Sequence, residues 1–195
     1  MTDVIAIAGS ARRHGNSETI LDTVLEGMET SGEDIEVQKI VPREMSITPC
    51  RSCNACWETG QCVVHDEMQD MYTRFCEADH IVMAAPIYFT SLPGHAKVFI
   101  DRFQCFWVRT YRLGEPPQPR RTGAFFCIGA MDRPRYYEPT ATIVKTWLST
   151  LNVTCPVSRF YPELDDKDDI QERDDYLEDA RRAGEELIAA SPEDK

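Results

Sequence analysis

Five short apolar, β-branched runs recur along this 195-residue chain, each followed by residues with helical spacing. They are VIAIAG (4–9), IEVQKI (35–40), HIVMAAPI (80–87), GAFFCIG (123–129) and NVTCPVSRF (152–160). Between them apolar residues return at intervals of three and four, as in Ile20, Leu21, Val24, Leu25 and Met28. Asn16 or Ser17 stands where this first helix needs a cap. Further helices are expected over about 66–76, 91–103, 138–150 and 168–190, the last with Ile170, Leu177, Ala180, Gly184, Leu187 and Ile188 on one face. A strand that is apolar at nearly every position must be covered on both sides, and alternating helices supply that cover. The alternation therefore predicts an α/β fold with a doubly wound parallel sheet. One domain over 1–195 is the expectation, since a chain of this length buries a core without staples.

Five strands fit the flavodoxin-like order 2-1-3-4-5 better than the six-stranded dinucleotide fold. Two insertions interrupt the pattern. One is a cysteine-rich loop (49–63) after the second strand. The other is VRTYRLGEPPQPRR (108–121), whose prolines and charges mark a surface excursion before the fourth strand. Its place beside the third-strand helix makes it a lid or a subunit contact.

A formal charge of −12 argues against a nucleic-acid partner, which needs a basic surface. No apolar run approaches the roughly 18 residues of a membrane span. The first residues, MTDVIAIAG, enter a strand directly and lack a basic leader, so a cytoplasmic setting with reduced thiols is expected. The acidic stretch ELDDKDDIQERDDYLEDA (163–180) reads as the solvated face of a terminal helix, with an acidic docking surface as the alternative.

The first strand runs into GSARRHGNS (9–17), directly before a helix. In a parallel α/β sheet this is where ligands bind, beyond the carboxyl end of a strand at the topological switch. Gly9 permits a sharp turn, Ser10 and Ser17 offer hydroxyls, Asn16 an amide, and Arg12 a charge to neutralise phosphate. The loop matches neither the Walker A pattern nor G-x-G-x-x-G, so a single terminal phosphate is its natural guest. At the end of the third strand, Pro86 stops the ladder and Ile87, Tyr88 and Phe89 follow at the same edge. Such side chains suit a flat, largely apolar ring, although core aromatics would read the same way. Gly129, Ala130 and Met131 form a third loop there, small enough for close approach of a ring and with a methionine to cover it.

Cys50, Cys53, Cys56 and Cys62 follow a C-x2-C-x2-C-x5-C spacing. Tight consecutive spacings suit a 4Fe–4S cube better than the separated knuckles of a zinc ribbon. Zinc and uncoordinated thiols stay open as alternatives, while a disulfide knot is disfavoured in a reducing compartment. His65 reads as a surface residue, and Cys76, Cys105, Cys127 and Cys155 as small buried hydrophobes.

GSARRHGNS resembles the G-S-x-R-x-x-G-N-S/T loop of the flavodoxin-like NAD(P)H-dependent FMN reductases, and APIYFTSLPGHAKVFIDR (85–102) resembles their third-strand segment. The cysteine run between them is similar to that of the iron–sulfur flavoprotein branch of the same superfamily. The resemblance covers most of residues 4–103 and implies FMN held by Ser10, Arg12, Asn16, Ser17, Pro86, Ile87, Tyr88 and Phe89, to which Gly129, Ala130 and Met131 are added by their place at the same edge. It also implies a 4Fe–4S cluster on Cys50, Cys53, Cys56 and Cys62. The partners so implied are a ferredoxin-like electron carrier or NAD(P)H, with a small-molecule oxidant as acceptor. A homodimer or homotetramer follows from the same resemblance. No catalytic side chain is expected, because the cofactors carry the chemistry. The alternatives are a clusterless NAD(P)H-dependent FMN or quinone reductase, and a flavin-free protein that senses metal or redox state through its thiols.

Overall fold

A computed structural model describes residues 1–190. Its five strands are β1 (Thr2–Ala8), β2 (Ile35–Ile40), β3 (His80–Pro86), β4 (Arg121–Ile128) and β5 (Val153–Tyr161), all parallel and ordered β2-β1-β3-β4-β5. This is the flavodoxin-like order expected from the alternation. The longer helices are α1 (Asn16–Glu29), α3 (Met68–Glu77), α4 (Gly94–Asp101), α6 (Pro134–Thr150) and α7 (Asp174–Ala189). Two single turns, α2 (Cys56–Thr59) and α5 (Gln104–Trp107), complete the set.

Side chains alternate across a strand, so each strand feeds two cores. Val4, Ala6, Val82, Ala84, Ala124 and Phe126 meet α1 and α7 on one face. Ile5, Ile7, Ile81, Met83, Phe125 and Cys127 meet α3, α4 and α6 on the other, where Phe103 packs edge to face with Phe99 and Trp147 and Phe75 lies tilted against it. Helices α1 and α7 touch backbone to backbone: a Cβ on Gly27 would overlap the Arg181 carbonyl oxygen, and one on Gly184 that of Val24. Glycine is there because the two helices leave no room for a methyl.

Several boundaries differ from the sequence reading. Gly15, not Asn16 or Ser17, caps α1, and the Glu18 carboxylate turns back to accept the His14 N–H at 2.7 Å. The stretch 168–190 is broken: residues 169–172 form a 3₁₀ turn, and α7 starts at Asp174. The third-strand helix ends at Asp101, and the chain continues through α5 into a π-helical turn at Val108–Arg112. The 108–121 segment is therefore only partly a surface excursion. Val108 is buried, and Arg121 is buried as the first residue of β4, donating to the carbonyls of Phe75, Ala78 and Leu151.

Candidate functional site

Four loops leave the carboxyl edge of the sheet side by side. Backbone hydrogen bonds knit their bases: Gly9 N–H to Ala84 O (2.8 Å), Ile87 N–H to Ile128 O (2.9 Å) and Gly129 N–H to Tyr161 O (3.1 Å). Gly9 fits because a side chain there would press on the Ala85 methyl at 2.8 Å. Gly129 would press likewise on the Phe160 ring at 3.0 Å. The loops enclose a cleft with two ends. At the polar end stand Ser10, Arg12, Asn16 and Ser17 with Pro86, Tyr88, Leu164 and Asp165. The apolar end, about 470 Å³, is lined by Ile87, Phe89, Thr90, Gly129, Ala130, Met131 and Tyr136. Ile87, Gly129 and Ala130 belong to both ends. All eleven residues singled out at this edge thus face one continuous cleft.

The polar end is braced from below. Arg43, from the segment after β2, donates to the Ser10 carbonyl at 3.1 Å and lies 3.7 Å from the Glu18 carboxylate. His95 Nε2 lies 3.2 Å from the Gly9 carbonyl. Burial raises the Glu18 carboxyl, but the His14 N–H and the charges of Lys39 and Arg43 outweigh it and leave the group below the usual carboxylate range. Burial also holds His95 below its ordinary value, against the backbone contacts to Gly9 and Ser10. Asn16 has a different task from the one its position suggested. Its amide donates to Asp166 O (2.7 Å) and accepts the Ile170 N–H (3.2 Å), which ties α1 to the loop after β5. Arg12 reaches the same loop, donating to Asp165 O at 2.6 Å.

The apolar end rests on a strained turn. Tyr88 and Ser91 exchange backbone hydrogen bonds of 2.8 and 3.0 Å, and the two residues between them, Phe89 and Thr90, have φ of 51° and 60°. Two left-handed residues in a two-residue turn are the type I′ pattern, normally filled by Asn-Gly. A β-branched threonine there is unusual, and strain of this kind gathers at functional edges. The turn pushes Phe89 fully into solvent and leaves Tyr88 half exposed; Met131, in the loop after β4, is half exposed as well. None of these three is a core residue.

The cysteine loop lies elsewhere, before α3. Cys50 and Cys53 are exposed, and Cys56 and Cys62 half-buried. Ser52, Asn54 and Gly60 have left-handed backbone, φ 51°, 61° and 67°, so the chain winds around its own thiols. Burial raises the Cys56 thiol, and the neighbouring charges of Cys62, Cys50 and Cys53 raise it further. As thiolates these groups would repel one another, and a bound cation would relieve that repulsion. Among the described residues, however, no three His, Cys, Asp or Glu side chains stand in an arrangement that holds a metal ion. Four soft thiolates on one wound loop match an iron–sulfur or zinc donor set in chemistry. His65 is exposed, Cys105 and Cys127 are buried, and Cys76 and Cys155 are half-buried.

Reading the sequence missed Arg43, His95, Thr90, Tyr136, Leu164 and Asp165. Leu164 and Asp165 follow the fifth strand, whose loop shares the edge in any 2-1-3-4-5 sheet and could have been found from the order alone. Arg43 carries no such signal.

Residues 2–134 match the family of NADPH-dependent FMN reductases. An iron–sulfur flavoprotein of Archaeoglobus fulgidus is 35% identical over 98 residues, 50% of this chain and 44% of that protein. Another, from Methanosarcina thermophila, is 28% identical over 145 residues, 74% of this chain and 72% of that one. The chain thus spans less than half the length of the Archaeoglobus relative it matches. Among solved structures, an NAD(P)H:quinone oxidoreductase from Methanothermobacter marburgensis superposes with a TM-score of 0.72 at 18% identity, covering 98% of each chain. That likeness is one of fold.

Proposed function

The chain belongs to the NADPH-dependent FMN reductase family, and on that premise we propose that it is an FMN-dependent oxidoreductase passing electrons between FMN and a 4Fe–4S cluster. The single observation that carries the flavin half is the two-ended cleft. Its narrow end gathers two hydroxyls and an arginine at the start of α1, and its broad end, about 470 Å³, is mostly apolar. A molecule with a phosphate at one end and a planar ring at the other matches that shape. In this reading Ser10, Ser17 and Arg12 hold the phosphate. Asn16 keeps the loop after β5 closed over it. Pro86, Ile87, Tyr88 and Phe89 line one side of the ring, and Gly129, Ala130 and Met131 the other. Bound FMN supplies electron transfer in pairs or singly, and a 4Fe–4S cluster supplies it singly. No side chain is assigned a proton.

The cluster half is supported by the donor set of Cys50, Cys53, Cys56 and Cys62 on one loop and by the likeness to proteins named iron–sulfur flavoproteins. The donor in this reading is NAD(P)H or a ferredoxin-like carrier, the acceptor a small oxidant, and the assembly a dimer or tetramer. A second reading, a clusterless NAD(P)H-dependent FMN or quinone reductase, is supported by the family match alone.

Anaerobic purification with flavin, iron and acid-labile sulfide measured per subunit separates the two. Flavin with neither iron nor sulfide, even after anaerobic reconstitution, leaves only the second. Cys53→Ala is expected to abolish cluster absorbance while FMN stays bound. Loss of both together would make the loop a structural element of the whole fold.

A further inference from the structure

The helical segment after β3 reaches the cysteine loop with three arginines. Arg109 Nε donates to the Gly60 carbonyl at 2.8 Å, and the Arg112 guanidinium lies 4.0 Å from the centre of the Trp57 ring. Arg102 differs from both in being fully buried, with 0% of its side chain exposed. Every hydrogen-bond acceptor of its guanidinium lies within residues 48–66. Nη1 donates to Thr48 O at 2.8 Å and to Asp66 Oδ2 at 2.5 Å. Nη2 donates to Val64 O at 3.2 Å and to Cys62 Sγ at 3.5 Å.

Burying a cation costs several kcal/mol unless acceptors surround it, so this arginine was placed for its partners. A plain loop anchor needs the Asp66 carboxylate and the two carbonyls, which already join the loop's two ends. The fourth contact goes to a sulfur. Among the described residues no other cationic side chain donates to a loop thiol.

We propose that Arg102 is a positioning residue for the cysteine loop: it joins the loop's ends and fixes Cys62 through an N–H···S bond before any metal arrives. Cys62 is then the preset inner thiol, and the exposed Cys50 and Cys53 close onto a guest from outside. Where a cluster is bound, the same bond draws charge from the Cys62 sulfur and favours the reduced, more negative state. Asp66 opposes this by sharing the guanidinium's charge. Only this last effect rests on the reading of the thiols as cluster ligands.

Two variants test the assignment. Arg102→Lys keeps the charge but cannot fork to four acceptors. In metal-free, reduced protein at one pH, its amides over 48–64 are expected to lose hydrogen-exchange protection. Iodoacetamide should label Cys62 about tenfold faster, the effect of losing one bond of ordinary strength, with Cys50 and Cys53 changed less than about twofold. After anaerobic reconstitution, Arg102→Lys should lower the cluster's midpoint potential. Asp66→Asn, which leaves the guanidinium freer to act on sulfur, should raise it. A merely structural arginine moves both variants the same way, because opening the loop to water acts alike in each. Unchanged exchange and Cys62 labelling in folded Arg102→Lys, or potential shifts of one sign, overturn the proposal. If the wild type takes up no iron, the cluster reading fails and the labelling decides alone. If Arg102→Lys does not fold, Asp66→Asn carries the labelling test: with the guanidinium freer to hold the sulfur, Cys62 should be labelled no faster than in the wild type, and faster labelling overturns the proposal.

Discussion

Asn16 shows how one residue can be well placed in the sequence and yet occupied differently in the fold. Its position in GSARRHGNS pointed to a cap or a phosphate contact. Both ends of its amide are instead spent on the loop after β5, 150 or more positions away. Replacing it leaves a buried N–H and a carbonyl unpartnered, and such a loss costs about 1–3 kcal/mol. Asn16→Ala should therefore lower the urea-unfolding free energy by about 2 kcal/mol, even in flavin-free protein. A change within 0.5 kcal/mol of zero, a threshold typical of surface substitutions, would show that the tie carries no weight. Thr90 makes the opposite case. Its left-handed backbone disfavours a β-branched side chain, so Thr90→Gly should hold or raise stability by up to about 1 kcal/mol. A marked loss would mean that the hydroxyl's 2.6 Å bond to the Phe89 carbonyl outweighs the strain.

At the scale of elements, the apolar runs located every strand because a buried parallel strand needs nearly continuous apolar residues. Strand β2 matched its expected bounds, and the others moved by one or two residues. Helices were less legible. Asp168 looked like the start of the last helix, but Ile170 must bond to Asn16, and α7 begins only after that contact is made. The pairing of α1 with α7 was not readable from periodicity, since each helix presents an ordinary apolar face. The contact depends on Gly27 and Gly184 meeting backbone on the partner helix. Gly184→Ala is expected to destabilise the protein by about 1–3 kcal/mol, by overpacking against a backbone that cannot yield. Thermal unfolding of the variant checks this, and an unshifted midpoint would place the helices farther apart than described.

Taken whole, the molecule holds two kinds of buried or half-buried titratable groups whose acid responses add. Burial lowers His80, against the charges of Asp79 and Glu33, and lowers His95 as well. A histidine held low in the folded state takes up its proton first in the unfolded chain. Its contribution is complete above the ordinary value of 6.5 and is lost as pH falls below it. The Glu18 and Asp66 carboxyls are held below their ordinary values by hydrogen bonds and cations that outweigh burial, so their contribution is lost at lower pH still. The urea midpoint should fall in two stages on acidification, the first starting near pH 6.5 and the second below about pH 4.5. A midpoint that is flat between about pH 7 and 5 would contradict the histidine assignment.

The strand–helix alternation, and with it the sheet order, was set by the local pattern of apolar residues, because each strand's burial on two faces is written into its own few residues. The cleft's eleven residues were legible for the same reason: topology puts the ends of β1, β3 and β4 at one edge. The support behind that edge was not legible. Arg43, His95 and Arg102 act through contacts whose partners are 30 to 90 positions away, and a lone arginine or histidine carries no mark of which carbonyl or sulfur it will meet. Four cysteines in thirteen positions announced a thiol site. Only tertiary packing decided that a buried guanidinium would close the loop from inside, because a charge can be buried only where the fold has already gathered its acceptors.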